Sequence, residues 1–349
     1  MKKMKRSLLI LLLCCLLLVS CVGGNNVSSE TGTDTDTDTE GSTASIWGTQ
    51  TKNEDTGIQL NVMSFNVLYK DINTVAANDS SKRIYNTVSN RKKQVNAMLL
   101  GEEIDVVGFQ EINQEWFDNF RWLDERYDYV GGMTSSNEGG YIVYNKNKLK
   151  VLLTGKFWLA EGAPLVPTKV DGAHSDRICS WAIFKIKETG DVFVFMDTHV
   201  DYLSDAVKVV QANVLSEQTS VLQELANSRY GAGENCPLIL VGDMNSYASS
   251  DLYKIITQRL NDARKCSLGV TVPGKYATLI GQNEFKYYTS LADVPMNSVV
   301  TDHIFVSDTT TVKKFKMIHT TTNLCEYGEY MSDHNAVIAE IYFERIGGA

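Results

Sequence analysis

Short runs of β-branched and aromatic residues recur along the chain from residue 58 onward, and polar segments separate them. Apolar runs of about four to eight residues, bounded by turn-forming residues, are typical of buried β-strands. The runs predict strands at Leu60–Phe65, Asp105–Phe109, Tyr141–Tyr144, Leu149–Leu153, Trp181–Ile186, Val192–Asp197, Leu238–Val241, Asp302–Val306 and Ala336–Phe343.

Two longer segments repeat their apolar residues with the period of a helix. They predict helices at Arg83–Leu100 and Asp205–Leu225, and Ser204 is the expected N-cap of the second. Shorter helices are predicted at Gln114–Arg121 and Ser249–Leu260. Strands that alternate with helices, without an internal repeat or a second linker, favour one α/β domain over residues 58–346.

Residues 1–20 have the pattern of an export signal. Four basic residues, Lys2, Lys3, Lys5 and Arg6, precede an apolar run that is short for a membrane-spanning helix. The run ends at Leu18-Val19-Ser20-Cys21, which resembles a bacterial lipobox, where the cysteine is lipidated after cleavage. We therefore expect an exported protein that faces outside the cytoplasm and is attached to the membrane only through lipid on Cys21. Ordinary cleavage beside a chance cysteine is the alternative.

Residues 21–57 are rich in Gly, Asn, Ser and Thr and include an alternating Thr-Asp repeat over 33–39. The segment has no apolar period with which to bury a core, so it predicts a flexible spacer. A calcium loop is a poorer interpretation, because no glycine turn or distal glutamate follows the repeat.

The composition is that of a globular protein, with 43% hydrophobic and 21% charged residues among 349. It excludes a wholly disordered chain, a collagen-like fibre and a polytopic membrane protein. The formal charge is −9, and loss of the four basic leader residues would leave −13. The spacer, with seven acids and one lysine, carries −6 of this, so the predicted domain carries about −7. Such acidity argues against a broad basic face for nucleic acid.

Four cysteines, Cys179, Cys236, Cys266 and Cys325, fall in the predicted domain. In an exported chain they allow two disulfides in three pairings, or they remain buried free thiols. Their spacing matches no zinc motif.

Polar residues stand where several of the apolar runs end or begin. The stretches are Asn66, Gln110-Glu111, Asp197-Thr198-His199, Gly242-Asp243-Met244-Asn245, Thr301-Asp302-His303 and Ser332-Asp333-His334-Asn335. One such residue is usually a turn or helix cap, and one histidine is usually structural. Six stretches rich in carboxylate, amide and imidazole instead favour a shared cleft, because strand ends converge on one rim of an α/β sandwich. Hard oxygen ligands suit Mg²⁺, Mn²⁺ or Ca²⁺, whereas Zn²⁺ is a weaker fit.

In order and spacing these motifs resemble the endonuclease/exonuclease/phosphatase superfamily, the DNase I-like metal-dependent phosphohydrolases. The matching stretches, from Met63-Ser64-Phe65-Asn66 to Ser332-Asp333-His334, cover nearly the whole predicted domain. Gly155–Leu159 and Arg177–Trp181 are similar to a secreted bacterial branch. The resemblance implies a four-layer α/β sandwich, in which two mixed β-sheets pack face to face with helices outside.

The resemblance also implies roles for individual residues. Glu111 would be the principal metal-binding carboxylate, with Asp333 completing the metal shell. Asn66 would hold a metal-bound water or a phosphate oxygen, and Arg177 would contact a phosphate oxygen. The remaining implied catalytic residues are Asp243 and Asn245, which orient the attacking water, His334 paired with Asp302 at the phosphate, and His199 near the leaving oxygen.

Two positions depart from the family pattern. Some relatives carry a second acid where this chain has Leu68, so the sequence leaves open whether the site holds one metal or two. His303 replaces a common tyrosine and is expected to be a packing residue. His174 and His319 belong to no motif.

The sequence therefore predicts a Mg²⁺-, Mn²⁺- or Ca²⁺-dependent phosphodiesterase, nuclease or phosphatase. Its substrate would be a phosphate ester: nucleic acid, a nucleotide, an inositol phosphate or a phospholipid headgroup such as that of sphingomyelin. A non-catalytic surface lipoprotein that uses the fold as a binding module is one alternative, and a zinc hydrolase is another.

Overall fold

The computed structural model describes residues 58–233, 235–270, 277–281, 285–290 and 299–343. The predicted signal peptide (1–20), Cys21, the spacer (21–57) and the last three residues of the predicted domain lie outside the described residues. Within the described part, no helix has the length and apolar character needed to cross a membrane.

Seven strands form the first sheet, in the order β12–β14–β15–β1–β4–β6–β5. They are β1 (Ile58–Asn66), β4 (Val106–Ile112), β5 (Tyr127–Met133), β6 (Gly139–Asn145), β12 (Gly269–Val270), β14 (Thr310–Ile318) and β15 (Ala336–Phe343). The sheet is mixed, because β1 runs parallel to β4 and antiparallel to β15.

Six strands form the second sheet, in the order β11–β13–β10–β9–β8–β7. They are β7 (Leu149–Trp158), β8 (Ile178–Ile186), β9 (Val192–His199), β10 (Leu238–Asp243), β11 (Asn261–Asp262) and β13 (Asp302–Val306). This sheet is also mixed, because β10 runs parallel to β9 and antiparallel to β13.

The two sheets pack face to face through an apolar core. Val62 and Ile142 of the first sheet and Phe195 and Val241 of the second belong to one fully buried cluster. Burying a side chain of this kind contributes about 1.5–3 kcal/mol relative to leaving it exposed, so this interface is the main stabilising layer.

Helices cover both outer faces. The first sheet is covered by α1 (Val88–Gly101) and α2 (Gln114–Phe117), and the second by α3 (Asp205–Tyr230) and α4 (Asp251–Ile256). A further short helix, α5 (Ala263–Cys266), precedes β12. The order helix, sheet, sheet, helix confirms the predicted four-layer sandwich.

The predicted helix at Arg83–Leu100 is wrong at its beginning. Residues 83–86 belong to β3 (Asp79–Asn86), which pairs with β2 (Ile72–Ala76) in a separate hairpin. The helix begins at Val88, where the Thr87 hydroxyl caps it by accepting a hydrogen bond from the Asn90 amide at 3.1 Å. The four-residue spacing of Ile84 and Val88 imitates a helix, but the two residues are buried by different elements.

All four cysteines of the predicted domain are free thiols. Cys179 and Cys236 are buried, and burial raises the pKa of the Cys236 thiol to about 12. Of the two interpretations left open by the sequence, the structure supports free thiols.

Candidate active site

The register of the paired strands places most of the predicted polar residues next to one another at one edge of the sheets. In the first sheet, Asn66 at the end of β1 lies beside Gln110 of β4. In the second sheet, Asp243 at the end of β10 lies between His199 of β9 and Asp302 of β13. The two sets meet on one rim because the sheets face each other.

Asn66 joins the two halves of this rim. Its Nδ2 donates to Glu111 Oε1 of the first sheet and to Asp243 Oδ2 of the second, at 3.1 Å in each case. Its Oδ1 accepts the Leu68 amide at 3.0 Å. In this arrangement the amide nitrogen of Asn66 faces the two carboxylates, and its predicted contact with a metal-bound water or a phosphate oxygen stays a prediction.

Glu111 owes its position to a β-bulge. Between Phe109 and Ile112, β4 has two residues where β6 has only Gly140, and Glu111 adopts a positive φ of 61°. A bulge re-aims the side chain that it carries. The Glu111 carboxylate also accepts the Tyr69 amide at 3.1 Å, and burial raises its pKa.

His334 and Asp302 form a buried pair. His334 Nδ1 lies 2.9 Å from Asp302 Oδ2, which leaves Nε2 turned toward Asp243 Oδ2 at 3.7 Å. Burial alone would lower the pKa of His334, but Asp302 and Asp243 outweigh it and hold the pKa well above its usual value. The loop before β15 is fixed to β1 because the Ser332 hydroxyl donates to the Asn66 carbonyl at 2.7 Å.

His199 is held by a residue that the sequence analysis missed, Glu138. Glu138 Oε1 lies 2.5 Å from His199 Nδ1 and also forms an ion pair with Arg177. Burial alone would raise the pKa of Glu138, but His199 and Arg177 lower it to about 2. Glu138 stands in a turn before Gly139-Gly140 rather than at the end of an apolar run, so the strand-end pattern could not reveal it.

Asp243 lies at the centre of the cluster. Its Oδ2 is 3.4 Å from His199 Nε2, and its Oδ1 accepts the Asn245 amide at 2.9 Å. Burial would raise the pKa of Asp243, but His334 and His199 outweigh it and lower the pKa, so the group stays ionised. Asn245 donates through Nδ2 to the Val200 carbonyl at 2.9 Å and lies 3.0 Å from His199 Nε2.

The other predicted residues lie at the edge of this cluster. Arg177 is buried against Glu138 and His199, and Asp333 is 6% exposed and raises the pKa of Glu111 through charge repulsion. His303 is buried against Phe305 at a ring separation of 5.2 Å and against Tyr253 at 5.4 Å, which agrees with the packing role expected for it. Leu68 is buried and brings no second acid.

The donor set fits a hard divalent cation. Glu111 and Asp243 oxygens approach the same Asn66 nitrogen from opposite sheets, so the two carboxylates converge. Asp243, Asp302 and His334 also offer ligand atoms within 4.8 Å of one another. Since His334 and Asp302 already bond to each other, Glu111, with Asp333 near it, is the better candidate for holding Mg²⁺ or Mn²⁺.

Comparison with curated proteins finds RNA exonucleases. A stretch of 139 residues is 27% identical to RNA exonuclease NGL1 of Saccharomyces cerevisiae and covers 36% of each chain. Another of 143 residues is 30% identical to a probable CCR4-Not complex 3′-5′-exoribonuclease subunit of Vairimorpha ceranae, covering 38% of this chain and 28% of that protein. The chain thus spans about a third of the length of the curated relatives it matches.

Comparison with solved structures covers more of the chain. An endonuclease/exonuclease/phosphatase from Bacteroides vulgatus is 27% identical, with a TM-score of 0.65 over 82% of this chain and 100% of that one. A mannosyl-6-phosphatase of Bacteroides thetaiotaomicron is 26% identical, with a TM-score of 0.63 over 81% of this chain and 100% of that one. The sequence profile of the Endonuclease/Exonuclease/phosphatase family matches residues 63–334. With the sandwich fold and the rim of carboxylates and imidazoles, this match shows that the chain belongs to the Endonuclease/Exonuclease/phosphatase family.

Proposed function

We propose that the protein is a divalent-metal-dependent phosphoric ester hydrolase. The observation that carries the proposal is the convergence of Glu111 and Asp243 on Asn66 from opposite sheets, beside two buried imidazoles. Phosphate esters are anionic and repel hydroxide, and their hydrolysis requires charge neutralisation and an aligned water. The cluster supplies groups suited to each of these tasks.

Asp243 and Asn245 are placed to orient the attacking water. The lowered pKa keeps the Asp243 carboxylate ionised, so it accepts a hydrogen from water, and the backbone bond from Asn245 fixes its second oxygen. The carboxylate is therefore the general-base candidate.

The two imidazoles are placed to donate to the substrate. Neighbouring carboxylates outweigh burial, hold the pKa of His334 well above its usual value and raise the pKa of His199, which favours the protonated form of each ring. His334 is suited to a phosphate oxygen and His199 to the leaving oxygen. Glu138 and Asp302 hold the Nδ1 sides of these rings, which leaves each Nε2 toward the cleft.

A divalent cation held by Glu111, with Asp333 nearby, would neutralise phosphate charge when bound. The pKa of Glu111 is raised by burial and by repulsion from Asp333 and Glu138, and a bound cation would offset that cost. Repulsion among unneutralised acids is the expected state of such a site without its cation.

The relatives support a choice among the possible phosphate-ester substrates. The mannosyl-6-phosphatase is matched along its full length, whereas the RNA exonucleases are matched over about a third of theirs. The acidic balance of the chain, with 42 acids against 33 bases, also disfavours a polyanion. We therefore place a sugar phosphate ahead of nucleic acid as the substrate.

The test is hydrolysis of sugar phosphates, nucleotides, inositol phosphates, RNA, DNA and sphingomyelin, with Mg²⁺ or Mn²⁺ and with chelator. We expect turnover of at least one ester that chelator abolishes and Mg²⁺ restores. Glu111→Gln and His334→Ala should remove it, and Glu115→Gln, a change at an exposed acid, should not. No hydrolysis by folded protein of any of these esters would refute the proposal, and metal binding without turnover would favour a binding module.

We also propose that the protein is exported and anchored through lipid on Cys21, on the strength of the leader pattern in residues 1–21. Radiolabelled palmitate should be incorporated by the full chain and not by Cys21→Ala, which should leave the membrane fraction. Equal membrane association of both forms would contradict the anchor.

A further inference from the structure

A cavity of about 180 Å³ lies between the beginning of α3 and the loop that joins β10 to α4. Asp205 and Lys208 of α3 line one side, and Ser246, Ser249 and Asp251 line the other. We call these five residues the side pocket.

The side pocket stands next to the candidate active site along the chain. Ser246 directly follows Asn245, and α3 begins six residues after His199. The two strands that lead into its walls, β9 and β10, are parallel neighbours with His199 beside Asp243. A substrate that places its phosphate at those residues therefore has the side pocket within reach of its non-reacting part.

Two side chains of the side pocket have hydrogen-bonding capacity to spare. Ser246 is 3% exposed, and its hydroxyl has no hydrogen-bond partner among the residues that the structure describes. The Lys208 side chain is 13% exposed, and Asp205 Oδ1 lies 3.3 Å from its ammonium, longer than the usual charge-assisted bond of about 2.7–2.9 Å. A buried hydroxyl without a partner costs free energy, so each group is suited to a polar ligand.

The mixture of groups favours a polyhydroxyl ligand over a second phosphate. Lys208 donates, and the Asp205 carboxylate, 3.3 Å from its ammonium, accepts and offsets the lysine charge, while Asp251 is already bonded to Lys254 at 2.8 Å. A sugar ring both donates and accepts at every hydroxyl, whereas a phosphate would meet the Asp205 carboxylate as well as the Lys208 ammonium.

The volume of the cavity also favours a sugar ring as the ligand. Pockets that enclose drug-sized ligands measure roughly 300–1,000 Å³, so about 180 Å³ suits a single ring rather than a base and its ribose together. We propose that the side pocket binds the sugar ring of a hexose phosphate whose phosphate group is hydrolysed at the neighbouring site. The hydrolysis of the phosphate group in this inference rests on the proposed function, whereas the binding of the sugar ring does not.

The first experiment compares two substrates. We measure kcat/KM for hexose 6-phosphates and for 4-nitrophenyl phosphate, which carries no sugar, in wild type, Lys208→Gln and Ser246→Ala. In Lys208→Gln, kcat/KM for the hexose 6-phosphate divided by kcat/KM for 4-nitrophenyl phosphate should fall by roughly 10- to 100-fold, because a hydrogen bond between the sugar and a charged group is lost. Lys93→Gln, an exposed lysine on α1, is the matched control and should leave the ratio unchanged. An unchanged ratio in both pocket variants, or a loss shown by 5′-nucleotides instead of hexose phosphates, would overturn the inference.

The second experiment needs no catalysis. Saturation-transfer NMR with free hexoses should show contact with wild type that Lys208→Gln weakens. If no phosphate ester is hydrolysed but this binding is found, the proposed function is refuted and sugar binding in the side pocket is supported. If no hexose binds and the kinetic ratio does not change, sugar binding in the side pocket is refuted, whether or not the protein hydrolyses phosphate esters.

Discussion

The Nδ1 atom of His334 lies 2.9 Å from Oδ2 of Asp302, and both side chains are buried. This bond fixes the ring orientation and supports its cationic form. Asp302→Asn would keep the shape but remove the charge, so we expect kcat/KM for phosphate esters to fall by roughly 10²-fold or more. Steady-state kinetics on the preferred ester measures this.

A second buried histidine and aspartate provide the control. His303 Nδ1 lies 3.4 Å from Asp262 Oδ2, and the His303 ring packs against Tyr253 of α4. Asp262→Asn should lower the free energy of unfolding, because Asp262 also accepts the Tyr253 hydroxyl at 2.9 Å, yet leave kcat/KM within about threefold. Equal losses of activity in both variants, at equal stability, would count against a special role for Asp302.

Glu138 and Arg177 act on His199 in opposite directions. The Glu138 carboxylate raises the pKa of His199, and the Arg177 guanidinium lowers it. NMR titration of the metal-free protein should therefore show a lower His199 pKa in Glu138→Gln and a higher one in Arg177→Gln. Shifts of the same sign in both variants would contradict the arrangement.

Gly108 leaves room for Asp197 between the sheets. A Cβ at position 108 would lie 2.4 Å from Val241 Cγ2 and 2.5 Å from Asp197 Oδ1. Overpacking a core costs about 1–3 kcal/mol, so Gly108→Ala should lower the free energy of unfolding by at least that amount. Urea denaturation tests this against Gly269→Ala, where the nearest atom would be 3.5 Å away. Similar unfolding midpoints for the two variants would be the contrary result.

His319 gives a pH dependence to stability. Burial lowers its pKa to about 4, whereas the unfolded chain has the usual value near 6.5. Between pH 6.5 and pH 4 the unfolded chain therefore binds a proton that the folded chain does not bind. The contribution of His319 to the free energy of unfolding is fully present above pH 6.5 and is lost as pH falls toward 4. The loss is on the order of 3 kcal/mol.

The comparison variant for this prediction is His319→Gln, which carries no titrating ring. The difference in unfolding free energy between wild type and this variant should shrink as pH falls from 7.5 to 4.5. Parallel pH profiles would show that the ring does not titrate as its burial requires.

The grouping of site residues at strand ends could be predicted from the sequence, because neighbouring strands end at the same edge of a sheet. Asn66, His199 and Asp243 each end a buried apolar run, and neighbouring strands end together, so sequence alone brings them to one rim. Glu111 was found by its motif, but its bulge and positive φ depend on pairing with β6, which local sequence does not encode.

Other features depend on tertiary contacts that a one-dimensional pattern cannot express. Glu138 reaches His199 across 61 positions of the chain from a turn with no apolar signal. Residues 83–86 at the end of β3 were wrongly predicted as helix, because the buried face of this hairpin packs against Phe285 and Tyr330, far along the chain. Asp197 ends in the space between the sheets, where Gln110 donates to it at 2.6 Å and burial raises its pKa well above the usual value.

The bridge from Asn66 to Asp243 joins residues 177 positions apart. During synthesis, the amino-terminal sheet strands emerge long before β10, and His334 follows only after another 91 residues. A partly synthesised chain therefore holds separate carboxylates with no opposing partner and no second imidazole. The rim is therefore complete only when nearly the whole domain has been made and folded.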